Sequence, residues 1–258
     1  MKIGLQTFTT RALMKTDRGV DETFSFAAEQ GLTCVELAVD YLKQPFTAAT
    51  AKMIAAAAAR HGIQVASCQI RYKTAAKDPS LTAEYMHILG AQIISNSVID
   101  LTLLTKGKDG ILRYCESLNA LAQTLTEQSI LLSHHNHHYE FLKYEGESVL
   151  NIMRGAFSGL FTLDTYWCQK GGGNVLTILD DFEGRIPILH LRDFQIKPLG
   201  LLQGGSDCEA GEGNLPFAAI LKKAGQCGVR FGMIEQKTKT PKESVQTSAE
   251  HLLSLRTP

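Results

Sequence analysis

The most constraining feature of this sequence is a set of eight short apolar or β-branched runs that recur along the chain. These runs are Ile3–Thr7, Cys34–Ala38, Gln64–Cys68, Gln92–Val98, Ile130–His135, Leu160–Asp164, Ile186–Leu191 and Phe231–Glu235. Successive runs start between 26 residues (160 to 186) and 45 residues (186 to 231) apart. This is about the length of one strand plus a crossover helix, so the spacing predicts eight βα units and an α/β fold.

Helical periodicity fills most of the intervals between these runs. The predicted helices are Val20–Gln30, Thr47–His61, Leu81–Gly90, Gly110–Gln128, Val175–Phe182 and Leu215–Gly225. No Gly-x-Gly-x-x-Gly follows the first run, and no linker-like tract divides the 258 residues. We therefore predict a (β/α)8 TIM barrel that forms one domain over residues 1–258, rather than a doubly wound sheet.

Composition limits the partners and the compartment. Lys+Arg and Asp+Glu both number 26, so the chain has no charge excess for nucleic acid or an anionic membrane surface. The six cysteines include no C-x-x-C pair, the first residues contain no apolar core of the length typical of a signal peptide, and no run approaches 18 apolar residues. We expect a reduced, cytoplasmic protein with a small-molecule partner; a homo-oligomer remains open.

Polar residues concentrate at the ends of predicted strands five to eight. The four segments are His134-His135-Asn136-His137-His138-Tyr139-Glu140, Asp164-Thr165-Tyr166-Trp167, His190-Leu191-Arg192-Asp193 and Glu235-Gln236. The carboxyl ends of barrel strands carry the active site in this architecture. His, Asp and Glu that converge there are typical ligands of Mn²⁺, Mg²⁺, Co²⁺, Zn²⁺ or Fe²⁺. We predict one divalent metal ion bound by Asp164, His190 and Glu235, although each residue alone could simply be a strand-terminal cap.

The longest irregular stretch, Gln195–Asn214, follows predicted strand seven and contains five glycines, including Gly200 and Gly204. In a barrel this stretch lies on the carboxyl-terminal face. We expect it to form a lid or a substrate loop.

Several motifs in the same order resemble one family. They are Lys2-Ile-Gly-Leu-Gln-Thr-Phe, His135-Asn-His, Tyr139-Glu-Phe, Leu163-Asp-Thr-Tyr-Trp-Cys-Gln, His190-Leu-Arg-Asp, Gly211-Glu-Gly-Asn and Ile234-Glu-Gln. Together they resemble the xylose-isomerase-like TIM barrels of the sugar phosphate isomerase/epimerase superfamily. The resemblance covers essentially the whole chain. It implies a metal held by Glu, Asp, His and Glu from strands five to eight, of which Asp164, His190 and Glu235 match the last three.

Strand five departs from this pattern because it offers histidines in place of the glutamate. The period of two along a strand points either His135 and His137 or His134 and Asn136 inward, and we favour the first pair. His135 is then the predicted fourth metal ligand, and Glu140 competes for that position if the strand ends early.

The resemblance implies proton transfer through an enediolate, catalysed by an isomerase or epimerase of a sugar, sugar phosphate or polyol ketone. Glu235 is one expected base, with His137 or Glu140 as the second. A metal-dependent lyase acting on a keto-inositol or 3-keto sugar is the alternative, and a barrel that binds a small ligand without turnover is a third.

We expect three further residues to bind substrate. Asn136 follows the histidine pair of strand five, Trp167 could stack on a sugar or pack beneath the Gly171–Gly173 loop, and Asp193 could equally orient His190 or cap a helix. Arg192, Lys197 and Arg185 are assigned to a solvated rim, where one of them could meet a carboxylate or phosphate of the substrate.

Overall fold

A computed structural model describes residues 1–42, 45–196 and 205–255. Eight parallel strands form a closed barrel. In chain order, barrel strands one to eight are Lys2–Gln6, Cys34–Ala38, Gln64–Gln69, Ile93–Asn96, Leu131–His135, Leu160–Asp164, Ile188–Leu191 and Phe231–Ile234. The barrel closes where strand one pairs with strand eight, in the register Ile3 to Gly232 and Leu5 to Ile234. The predicted single-domain α/β TIM barrel is confirmed.

Helices surround the barrel, and the sequence signals explain many of their ends. Thr47 caps the helix Ala48–His61, which ends at Gly62 with φ of 65°, and Asp78 caps Pro79–Leu89. Side-chain oxygens at these caps satisfy the free N–H groups of the first turn, and glycine adopts the left-handed φ without strain. The described α-helices are Asp17–Glu29, Ala48–His61, Tyr72–Ala75, Pro79–Leu89, Leu101–Leu104, Gly107–Thr126, Val149–Ala156, Thr165–Lys170, Val175–Asp181, Phe217–Gln226 and Pro241–Ser254.

The barrel interior changes from apolar to polar along its axis. A separate apolar cluster contains Cys34, Ala66, Ile93, Ile188, Phe231 and Met233. Four of these residues, Cys34, Ile93, Ile188 and Phe231, are the first residues of their strands. Further along, the Thr162 hydroxyl hydrogen-bonds the hydroxyls of Ser95 and Ser133 at 3.1 and 2.8 Å. On strands five and six, Ser133 and Thr162 lie two residues before His135 and Asp164, so these hydroxyls lie next to the ionisable residues at the carboxyl ends.

The stretch after strand seven begins and ends in regular structure. Asp193–Gln195 pairs in antiparallel fashion with Ser206–Cys208. Gly200 and Gly204, on which the expectation of a lid partly rested, lie outside the described residues, as does Lys197.

All six cysteines are buried and none forms a disulfide. Within the described ranges, no helix has both the length and the apolar character that crossing a membrane requires.

Candidate metal centre and cavity

Four buried side chains meet at the carboxyl end of the barrel. His135 ends strand five, Asp164 ends strand six, His190 lies in strand seven, and Glu235 follows strand eight directly. One potential ligand atom from each residue lies within 4.8 Å of all the others. The structure thus brings the four predicted ligands together, and we call them the four-residue cluster.

Several atoms of the cluster are buried without a hydrogen-bond partner. They are both ring nitrogens of His135, Nδ1 of His190 and Oε2 of Glu235. His135 Nε2 lies 3.7 Å from Asp164 Oδ2, and His190 Nδ1 lies 2.7 Å from Glu235 Oε2 without the alignment of a hydrogen bond. Buried polar atoms without partners are costly and often mark an ion site. Two imidazoles and two carboxylates fit a divalent transition metal ion.

Glu36 orients His190 across the barrel. Its Oε1 lies 2.7 Å from His190 Nε2, and its Oε2 accepts a 2.6 Å hydrogen bond from Ser67 Oγ. The contact with Nε2 leaves Nδ1 directed at the cluster, as in carboxylate–histidine–metal triads. Burial alone would lower the pKa of His190, but the carboxylates of Glu36 and Glu235 outweigh it and raise that pKa to about 10. A cation bound at Nδ1 would take the place of the proton on that nitrogen.

The two oxygens of Asp164 have different partners. Oδ1 accepts the Trp167 N–H at 2.8 Å and so caps the helix Thr165–Lys170. Oδ2 faces His135 and Arg192. Burial would raise the pKa of Asp164, but the charge of Arg192 and the contact with His135 lower it below its usual value, so the carboxylate is ionised.

Arg192 is a member of the site that the sequence analysis missed. It is buried, its Nη1 lies 3.4 Å from Asp164 Oδ2 and 3.3 Å from Glu235 Oε1, and its Nη2 donates to Asp207 Oδ2 at 2.8 Å. The assignment to a solvated rim is wrong because these three carboxylates compensate the buried charge. Its position two residues after His190, on the same side of an alternating strand, was the available signal.

A cavity of about 480 Å³ opens above the cluster, and we call it the first cavity. His135, His137, Trp167, Arg192 and Glu235 line it, together with Phe8, Ala38, Asp40, Tyr41, Gln69, Arg71, Ser97, Val98 and Lys237. Burial, with a smaller contribution from His135, lowers the pKa of His137 to about 4. His137 is therefore a neutral imidazole near pH 7, able to accept a proton.

Trp167 forms an aromatic part of this cavity wall. Its ring stacks on His138 with centroids 5.2 Å apart and lies 5.1 Å from the His137 ring. The Arg192 guanidinium lies 5.5 Å from the indole centroid. Of the two alternatives for Trp167, this position allows stacking on a bound sugar.

Three other predicted site residues do not line the first cavity, and these are Glu140, Asn136 and Asp193. The Glu140 oxygens contact His134 Nε2 at 3.0 Å and accept the His137 N–H at 2.8 Å. Asn136 Oδ1 accepts the Asp164 N–H at 2.8 Å. Each of these side chains is committed to holding the backbone or a neighbouring side chain.

Asp193 shows the same behaviour in the loop after strand seven. Its carboxylate accepts four backbone N–H groups, those of Phe194, Gly211, Gly213 and Leu215. It neither contacts the His190 ring nor caps a helix in the described hydrogen bonds. Its oxygens organise the loop and leave little capacity for substrate.

The chain belongs to the xylose isomerase-like TIM barrel family, whose sequence pattern matches residues 24–255. Comparison with curated proteins found no match. The fold is similar to a sugar phosphate isomerase/epimerase from Parabacteroides distasonis, with a TM-score of 0.75 and 18% identity over 100% of this chain and 96% of the other.

Two further solved structures share the fold. A probable 3-DHS dehydratase from Bacillus anthracis has a TM-score of 0.75 and 11% identity, over 98% of this chain and 99% of the other. A 3-keto-D-glucoside 4-epimerase from E. coli has a TM-score of 0.69 and 14% identity, with the same coverage of 98% and 99%. Both an epimerase and a dehydratase therefore share this architecture.

Proposed function

We propose that this protein is a metal-dependent isomerase or epimerase that transfers a proton next to the ketone of a sugar, sugar phosphate or related polyol. The observation that carries the proposal is the four-residue cluster, whose buried, unpartnered atoms converge beneath a polar cavity. The isomerases and epimerases among the structural neighbours support this reaction class.

His135, Asp164, His190 and Glu235 would hold the divalent cation. When bound, such an ion polarises a carbonyl or hydroxyl oxygen of the substrate and so favours loss of the neighbouring proton. The imidazole and carboxylate donors are compatible with Mn²⁺, Co²⁺, Zn²⁺ or Fe²⁺, and Mg²⁺ fits the carboxylates better than the imidazoles.

Two groups that line the first cavity can move the proton. Burial would raise the pKa of Glu235, but Arg192 and His190 lower it well below its usual range, so Glu235 is a carboxylate. His137 is a neutral imidazole whose Nδ1 is buried without a partner. One base removes the proton and the other returns it to the adjacent carbon or to the opposite face. The positive charge of Arg192 favours the enediolate that forms in between.

Elimination of water is a second candidate, favoured by one observation. Strand five ends in His135, where the family resemblance predicts a glutamate, and His137 follows it. After His137 has accepted the proton removed from the substrate, it could deliver that proton to a departing hydroxyl group. The 3-DHS dehydratase among the structural neighbours is consistent with this alternative.

The test combines elemental analysis with hydrogen exchange in deuterated water. D-allulose and methyl 3-keto-glucoside serve as substrate probes. NMR measures the exchange of their hydrogens with the solvent, and ultraviolet absorbance detects an unsaturated ketone product. We expect His135→Ala to lose bound metal. We expect His137→Ala to keep metal and to lose exchange by about 10²–10⁴-fold. His87→Ala, which changes an exposed histidine on the helix Pro79–Leu89, is the matched control.

The outcomes separate the candidate functions. Exchange without net elimination supports an isomerase or epimerase, and an absorbing unsaturated ketone supports a lyase. Bound metal without exchange of any probe would indicate a binding protein and contradict the proposal. Full activity in both site variants would contradict the roles given to these histidines.

A further inference from the structure

A second cavity of about 670 Å³ adjoins the first one at the barrel mouth. Arg71 and Val98 line both cavities, so the two cavities lie side by side with these residues between them. The second cavity lies between the segments that follow barrel strands three and four, with Tyr114 of the helix Gly107–Thr126 behind it. Each volume falls within the range of about 300–1,000 Å³ typical of ligand sites.

The wall of the second cavity is largely apolar, although it faces solvent. Val98 is 44% exposed and Leu101 is 52% exposed. Neighbouring large apolar side chains at a concave surface are typical of a binding site. Tyr114 is held in place because its hydroxyl accepts from Asn96 Nδ2 at 2.6 Å and donates to the Val98 carbonyl at 3.2 Å. The Tyr114 side chain is therefore fixed at the back of the cavity.

The edge of the second cavity carries positive charge. Arg71, Lys73 and Lys77 line it, and Asp100 is the one carboxylate in its described lining. Arg71 donates from Nε to Asp40 Oδ2 in the first cavity at 2.7 Å, so the two lysines supply most of the positive charge. Lys73 Nζ lies 3.9 Å from that carboxylate, whereas Lys77 has no ion pair within the described part of the chain. An apolar wall with a cationic edge matches a ligand group that is apolar and bears a negative charge.

We infer that the substrate has two joined parts. A keto sugar occupies the first cavity, and an aromatic or apolar group with an acidic substituent occupies the second. The inference rests on the proposed function for its first part, since only that function places a keto sugar above the four-residue cluster. The second part follows from the shared lining at Arg71 and Val98, which places the two cavities side by side, so that a substituent extending past these residues reaches the second cavity.

Calorimetric titration of the metal-loaded protein with three glycosides tests the inference. The probes are the methyl, phenyl and 4-carboxyphenyl 3-keto-glucosides. We expect the phenyl probe to bind about tenfold more tightly than the methyl probe, because its ring is removed from water. The carboxyphenyl probe should bind more tightly still at low ionic strength and lose this advantage in salt.

Leu101→Asp probes the second cavity, because it replaces an apolar wall residue with a negative charge. The ratio of methyl to carboxyphenyl dissociation constants should fall to about one in this variant. Leu112→Asp is the matched control, since Leu112 is an exposed leucine that lines neither cavity. Its ratio should equal that of the wild type.

Equal affinity of the three glycosides, failure of all three to bind, or a preference that survives Leu101→Asp would overturn the two-part substrate. The proposed function fails separately: in that case the aryl preference persists in binding, but none of the glycosides exchanges hydrogen with the solvent.

Discussion

Asp164 allows two functions of one carboxylate to be separated. Its Oδ1 caps the helix Thr165–Lys170 through the Trp167 N–H, whereas its Oδ2 faces the cluster. Asp164→Asn retains an oxygen for the cap but replaces Oδ2 with an NH2 group, whose nitrogen donates hydrogen bonds and does not bind a cation. Asp164→Ala removes both oxygens. We therefore expect both variants to lose metal affinity, but only the alanine variant to lose the cap.

The expected magnitudes follow from the number of donors. Binding of a divalent ion worth about 10–16 kcal/mol, shared by four ligands, amounts to about 3 kcal/mol for each ligand. The metal dissociation constant should therefore rise by about a hundredfold or more in both variants. A helix cap contributes about 1 kcal/mol. With metal removed, the free energy of unfolding should be lower by about that amount in Asp164→Ala than in Asp164→Asn.

Calorimetric titration with Mn²⁺ and urea unfolding in the presence of a chelator measure the two effects. Asp78 provides the matched control because it caps the helix Pro79–Leu89 through the Leu81 N–H at 2.9 Å and lies outside the cluster. Its asparagine and alanine variants should reproduce the difference in stability with unchanged metal affinity. Wild-type affinity in Asp164→Asn would refute the assignment of Oδ2 as a ligand, and equal stability of the two Asp164 variants would refute the cap.

Four more predictions concern single residues around the site. Glu36→Gln should weaken metal binding by about 10–100-fold in the same titration, because the carboxylate orients His190. Burial would raise the pKa of Glu140, but its contacts with His134 outweigh burial and lower the pKa below its usual value. The ionised group therefore stabilises the fold above the pKa of the unfolded chain, near 4.5. This stabilisation is lost as the pH falls from there through the lower pKa of the folded protein. Urea unfolding should therefore show Glu140→Gln to be about 2 kcal/mol less stable than wild type at pH 7, with a smaller difference below pH 4. Asp193→Ala should lose about 3 kcal/mol of unfolding free energy, since four backbone N–H groups lose their acceptor. Trp167→Ala should raise KM about tenfold with a smaller change in kcat, and Trp167→Phe should restore most of the loss.

The barrel and its strand ends could be predicted from local patterns. Cys34–Ala38 and Leu160–Asp164 agree with the observed strands at both ends. The helix Pro241–Ser254 was not predicted, since its polar first half, which includes Lys242 and Glu243, weakens the apolar periodicity. Alternation along strand five left two pairs of inward side chains open, because consecutive side chains of a strand point to opposite faces. The favoured pair included His135, which lies in the four-residue cluster.

The sequence by itself determined the eight repeated units and therefore the end of the barrel at which Asp164, His190 and Glu235 meet, because strand spacing and the position of polar residues are local properties. Only the tertiary structure decided what each side chain contacts. Glu36 bonds His190 across 154 residues, and Arg192 is buried among carboxylates from three separate segments. Barrel closure creates these contacts between segments far apart in the chain, and their energies depend on burial that no local pattern records.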